Sequence, residues 1–199
     1  MNIGNLLTWN FLKGMGSFFL KFVYGILAAR TLGPAIMGQM AIILAFAGFA
    51  KIFINSGFKS RIIQAEEITE KELNSIFAFN LGMSIMLSLI FFLSAHYIAY
   101  FFNMPEVARY IQIYSLTLIL QAMYIVPVAL NDRHYRVKKN TQAILLSNLI
   151  SLVISAIFLV LGYGLGSLVL YSILNNLILL IIINYKSQWK PKLQFSRSS

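Results

Sequence analysis

Three lysines stand inside hydrophobic stretches near the start of the chain: Lys13 and Lys21 in the run from Trp9 to Ala29, and Lys51 in the run that follows. An ammonium group in such a place does one kind of chemistry well, which is to hold an anion. On a helix turning 100° per residue, Lys13, Gly14, Ser17, Lys21, Tyr24, Gly25 and Ala28 fall within an arc of about 120°. Leu12, Met15, Phe19, Leu20, Phe22, Val23, Ile26 and Leu27 fill the remaining arc. One face is therefore small, polar and cationic, and the other suits lipid or apolar neighbours. Lys51 lies one turn from Asn55 on the second stretch, with Gly48 on the same side. Burying a lone lysine at a bilayer centre costs about 2.5–3.5 kcal/mol. An anion about 4 Å away returns roughly 4 kcal/mol at an effective dielectric of 20. Lys13 and Lys51 are close enough to a span end for their stems to carry the charge to the headgroups, whereas Lys21, in mid-span, is not. The candidate anion site is Lys21, Lys51 and Lys13, with Ser17, Asn55 and Tyr24 as neutral polar support.

Other chemistries fare poorly. The six acidic residues, Glu66, Glu67, Glu70, Glu72, Glu106 and Asp132, all fall in connections or at span ends. Metal-assisted or acid–base catalysis within the membrane needs carboxylates that this chain does not place there. There is no cysteine for a disulfide, a thiolate metal site or a nucleophile. No Walker-type glycine loop or nucleophile–base spacing occurs. The sequence implies no enzyme, no metal and no cofactor. His96, beside Tyr97 and Tyr100, reads as an interfacial anchor. Asn80, Ser84, Gln112, Ser115, Gln121, Asn148, Ser151, Asn175 and Asn176 read as polar contacts between membrane helices.

The elements that must position these lysines are transmembrane helices. The chain has 199 residues, 59% of them hydrophobic, with a mean hydropathy of +0.76, well above the roughly 45–50% apolar share of soluble domains. It is an all-α polytopic membrane protein. A hydrocarbon core about 30 Å thick needs roughly 20 apolar residues per crossing, which cuts the chain into six spans: Thr8–Ala29, Met37–Phe58, Ser75–Phe102, Ala108–Leu130, Gln142–Leu161 and Ser167–Tyr185. Gly33-Pro34 supplies the stop after the first. Thr69-Glu70-Lys71-Glu72 has capping-box spacing and starts a helix ahead of the third. Pro127 kinks the fourth, and Gly162–Gly166 makes a tight hairpin between the fifth and sixth. The net charge of +10 does not call for nucleic acid, because the basic residues alternate with spans instead of clustering on one surface. Lys59, Arg61 and Lys71, then Arg133, Arg136, Lys138 and Lys139, then Lys186, Lys190, Lys192 and Arg197 all fall on one side, against Arg30 and Arg109 on the other. The positive-inside rule places that side, and both termini, in the cytoplasm.

The run Ala28-Ala29-Arg30-Thr31-Leu32-Gly33-Pro34, followed by Gly38, resembles the ARxLGPxxxG segment that closes the first helix of Wzx-type polysaccharide flippases, the oligosaccharide branch of the multidrug/oligosaccharidyl-lipid/polysaccharide exporter superfamily. Ser56-Gly57-Phe58 to Gln64, the basic Asn131–Lys139 loop and Gly162–Val169 agree in order and spacing. The resemblance covers nearly the whole chain and corresponds to about the first six helices of that family.

It implies that an undecaprenyl-pyrophosphate-linked oligosaccharide is carried from the cytoplasmic to the outer leaflet of a bacterial inner membrane, for O-antigen, lipopolysaccharide, capsule or exopolysaccharide synthesis. Two lobes would alternate around a cationic cavity. Residues 1–185 would form one lobe, and the basic tail 186–199 would begin a linker to the other. That second lobe would come from a missing C-terminal half, the preferred reading, or from a second copy or a separate partner. A cation-coupled drug exporter is disfavoured by the absence of membrane acids. A scaffold subunit of a glycan-synthesis complex, without transport, is the alternative from another class.

Overall fold

The computed structural model describes residues 3–54, 58–185, 189 and 191. Asn55, Ser56-Gly57 and the other tail residues of 186–199 lie outside the described residues. The elements are α1 (Ile3–Ile54), α2 (Phe58–Gln64), α3 (Glu70–Phe101), α4 (Val107–Arg133), α5 (Val137–Val160) and α6 (Leu165–Tyr185). Among the described residues there is no strand, and five helices are long and apolar enough to cross a membrane.

The first of these serves for two crossings. α1 is two helical arms joined at Gly33, whose φ of 73° and ψ of 174° are non-helical. That combination is open to glycine and almost nothing else. Pro34 follows with its fixed φ and no N–H, as suits the first position of a new helix. At 1.5 Å per residue the arm 3–32 is about 45 Å long and the arm 34–54 about 31 Å, each long enough to span. Tyr24 and Ala28 on one arm share a buried cluster with Met40, Ile43 and Ala47 on the other, so the arms fold towards each other.

The remaining helices close around this pair. α3 packs along α4, α5 along α6, and the first arm of α1 lies against α5. Ser88 Oγ donates to the Ser115 carbonyl across the α3–α4 seam (3.0 Å). One turn and two turns away, Ser84 and Asn80 are fully buried without a hydrogen-bond partner among the described residues, as is Ser151 on α5. α4 runs as one helix through the buried Pro127, so the expected kink does not interrupt it. Gly162 and Gly164, with φ of 85° and 55°, make the turn into α6.

The span boundaries differ from the sequence expectation where polar anchoring extends or cuts a helix. The second crossing stops at Ile54, and Phe58–Gln64 forms the separate short helix α2. α2 is held by Arg133, whose guanidinium donates to the carbonyl of Ile62 (2.8 Å), an orphan acceptor in its last turn, and to those of Ala65 (2.6 Å) and Glu66 (3.0 Å) just beyond it. Lys59 adds an ion pair to Asp132 (3.1 Å). α3 begins at Glu70, ahead of its apolar run, because Thr69 and Glu72 form a reciprocal capping box: the Glu72 N–H donates to Thr69 Oγ1 (3.2 Å) and the Thr69 N–H to Glu72 Oε2 (2.9 Å). The backbone hydrogen bond from Thr69, aided by its hydroxyl and by Arg61, holds the Glu72 carboxyl below its ordinary range.

A depressed carboxylate pKa contributes stability above the unfolded value, and that contribution is lost as pH falls through the folded one. The first turn of α3 is therefore expected to open more readily in acid, with amide exchange at residues 72–74 rising several-fold below the ordinary glutamate range. In Glu72→Gln this acid-dependent rise should be absent. Gly33→Ala forces a side chain into the glycine-only region, and is expected to lower unfolding stability by about 1–2 kcal/mol, read by denaturant unfolding in detergent.

Candidate functional site

The two arms of α1, α4 and α6 enclose a cleft of about 360 Å³. Its wall carries Lys21 and Tyr24 from the first arm, Lys51 from the second, Tyr114 from α4, and Tyr171, Ser172, Asn175 and Asn176 from α6. Both lysines therefore line one volume, and among the described residues no carboxylate lines it. The hairpin at Gly33 makes this possible, since it brings residues thirty positions apart in sequence onto facing helices.

Most of the polar groups on the wall are held from behind. The Lys51 ammonium lies 5.8 Å from the centre of the Tyr114 ring, where the ring face attracts a cation. The Tyr24 and Tyr171 rings stack at 4.8 Å with an interplanar angle of 27°, and Tyr24 donates its hydroxyl to the Ser167 carbonyl (3.2 Å). Asn148, buried on α5, is the hub of the polar contacts. Its Oδ1 accepts from Tyr171 Oη (3.2 Å) and Asn175 Nδ2 (2.8 Å), while its Nδ2 donates to Ser17 Oγ (3.2 Å). One amide thus ties α1, α5 and α6 together. Asn176 is fixed by Tyr124, which donates to its Oδ1 (2.9 Å), and by its own donation to the Ser172 carbonyl (2.7 Å). In a medium without competing water such bonds average about 0.6 kcal/mol and reach about 1.7. Their larger effect is to fix which side chains face the cleft.

The sequence candidates distribute as follows. Lys21, Lys51 and Tyr24 meet at the cleft. Ser17 stands behind it as the partner of Asn148. Lys13 is half-buried and does not line the cleft. Asn55 lies outside the described residues. Tyr114 and Tyr171 escaped sequence reasoning because a tyrosine in an apolar helix looks like core. Leu168, Tyr171, Ser172, Asn175 and Asn176 recur at helical spacing, and that stripe is the signal that could have found the α6 wall. Of the basic loop Asn131–Lys139, Arg133 is spent on α2, and Lys138 lies 5.3 Å from the Trp9 ring, anchoring the start of α1.

The chain is thus a bundle of long apolar helices around a cleft that carries two lysines and, among the described residues, no acid. The comparisons with known proteins place it more closely. The family described as "Polysaccharide biosynthesis protein" matches residues 26–199, and the chain belongs to that family. It is similar to the succinoglycan biosynthesis transport protein ExoT of Rhizobium meliloti (strain 1021), at 28% identity over 188 residues. That match covers 94% of this chain and 38% of the relative, so the chain spans about two fifths of the relative's length. No solved structure matches the chain.

Asn148→Ala leaves Tyr171, Asn175 and Ser17 without their shared partner. It is expected to lower stability by about 1–2 kcal/mol, as the sum of three membrane hydrogen bonds. Asn148→Asp is expected to be at least as disruptive, because it buries a charge and loses the donor to Ser17. Denaturant unfolding in detergent micelles reads both.

Proposed function

We propose that this chain is one lobe of a carrier that exports a polyprenyl-pyrophosphate-linked oligosaccharide across the bacterial cytoplasmic membrane for surface-polysaccharide synthesis. The observation that carries this reading is the pair Lys21 and Lys51 on one cleft that contains no acid. Two ammonium groups on one small volume repel each other, and an incoming dianion removes that repulsion while making two favourable contacts. A pyrophosphate diester supplies such an anion. The family match and the likeness to a protein named for succinoglycan transport favour a glycan as its other substituent. Tyr171, Asn175 and Asn176 offer the ring faces and amides to which sugars bind, beside the lysines on the same wall.

In this reading the basic loops and both termini lie in the cytoplasm, and the cleft receives the headgroup from that side. The protein forms no covalent bond to its cargo. Movement comes from alternating access between this lobe and a second one, supplied by further chain, a second copy or a separate partner. Gly33 is the natural pivot, because the two arms that carry Lys21 and Lys51 meet there. A change in the angle between them alters the separation of the two charges.

With the purified chain in detergent, Lys21→Ala is expected to weaken binding of undecaprenyl pyrophosphate about tenfold, the equivalent of 1.4 kcal/mol. Lys21→Arg should stay within a few-fold of the parent, since the charge is kept. Undiminished binding by Lys21→Ala overturns the reading. Absence of binding by the parent chain, when it is well folded, favours the scaffold role.

A further inference from the structure

A second hollow lies directly against the cleft. It is an open groove of about 420 Å³ along the first arm of α1, flanked by Met37 of the second, and Lys21, Gly25 and Met37 on its wall also stand on the wall of the cleft. Beyond them the groove is apolar, made by Phe18, Phe22, Ile26 and Ala29. The Phe18 and Phe22 rings stack at 5.8 Å and are 64% and 54% exposed. At the pass between the hollows stands Gly25, where a Cβ would meet nothing within 4 Å. A cation, an absent side chain and a flexible thioether thus stand between a cleft that mixes lysines, tyrosines and amides with apolar residues and a groove whose wall is otherwise apolar.

Depth decides what fits. With the break at Gly33 set at one face of a hydrocarbon core about 30 Å thick, Lys21, twelve residues earlier, stands about 18 Å from that face and about 12 Å from the other, beyond the reach of its own stem of roughly 6 Å. The phosphate of a resident phospholipid stays in the headgroup layer and does not reach Lys21. An anion held at Lys21 has been drawn into the protein, and if it carries a hydrocarbon chain, that chain must leave sideways from mid-membrane. A larger groove of about 620 Å³, between Gly16 and Leu20 on α1 and Leu145, Leu146 and Leu149 on α5, has the volume for a chain. It has no lysine on its wall and shares no residue with the cleft.

We propose that the groove at Phe18, Phe22 and Ile26 receives the isoprene units next to the pyrophosphate, so that Lys21 marks the junction between headgroup and tail. This rests on the headgroup reading above and adds the path of the tail. The methyl-branched chain lies on the two phenylalanine rings, and Gly25 leaves the opening through which it passes. Lipid specificity then arises here, as a requirement that anion and chain be engaged on opposite sides of one lysine.

The test uses the purified full chain in phosphatidylcholine nanodiscs and a farnesyl pyrophosphate bearing a diazirine on its first isoprene unit. Photolysis is expected to label the segment containing Phe18, Phe22 and Ile26, with labelling suppressed by undecaprenyl pyrophosphate and not by undecaprenol. Phe18→Ser/Phe22→Ser is expected to weaken farnesyl pyrophosphate binding at least fivefold while inorganic pyrophosphate binding stays within twofold. Labelling centred on Leu145–Leu149, or serine variants with unchanged farnesyl pyrophosphate affinity, overturns the tail path while leaving the headgroup site standing. Failure of the unaltered chain to bind inorganic pyrophosphate overturns the headgroup reading, and this inference with it.

Discussion

Two lysines share one cleft whose described wall carries no carboxylate to neutralise them, and much of the surrounding architecture is consistent with that constraint. Lysines at membrane depth are tolerated where water, an aromatic face or an anion replaces the lost hydration. Here Lys51 has the Tyr114 ring and Lys21 stands exposed at the cleft's edge. The six acids lie off the cleft wall, and three of them have clear posts: Asp132 pairs with Lys59, Glu72 caps α3, and Glu106 accepts from Gln39 beside the start of α4. These three acids brace the ends of helices, while Lys21 and Lys51 stand along the arms of α1 with no acid beside them on the cleft wall.

The polar groups behind the cleft have a related purpose. Ser17, Asn148, Tyr171 and Asn175 form a chain of hydrogen bonds across three helices, and membrane helices have no hydrophobic drive to choose one register over another. These bonds supply the choice. The far seam is different in kind: on α3, Ser88 is satisfied by α4, while Asn80 and Ser84 are buried and unpartnered among the described residues. The register near the cleft is thus set by polar contacts, and the α3–α4 seam rests more on apolar packing.

Much of the fold was legible from local signals. Gly33-Pro34 announced the break in α1, Thr69 and Glu72 announced the start of α3, and Gly162 and Gly164 the last hairpin, because each depends on backbone chemistry within a few residues. Lys21, Lys51 and Tyr24 were legible as candidates because a polar residue in an apolar run stands out. What escaped depends on contacts distant in sequence. α2 was folded into the second span and the loop after it, since nothing in Phe58–Gln64 reveals that Arg133, some seventy positions on, will cap it. Tyr114 and Tyr171 were invisible as wall residues for the same reason, and Lys13, so similar to Lys21 in sequence, takes no part in the cleft's wall.

The central claim is that Lys21 and Lys51 hold one anion between them. Its most direct test is a solid-state NMR measurement of dipolar coupling between the phosphorus nuclei of bound pyrophosphate and the side-chain nitrogens of ¹⁵N-lysine-labelled protein, with the two resonances assigned by single Lys→Arg variants. The account predicts that the Lys21 and Lys51 nitrogens are both dephased by phosphorus, and that the Lys13 nitrogen is not. Dephasing of neither, or of Lys13 in place of one of them, contradicts it.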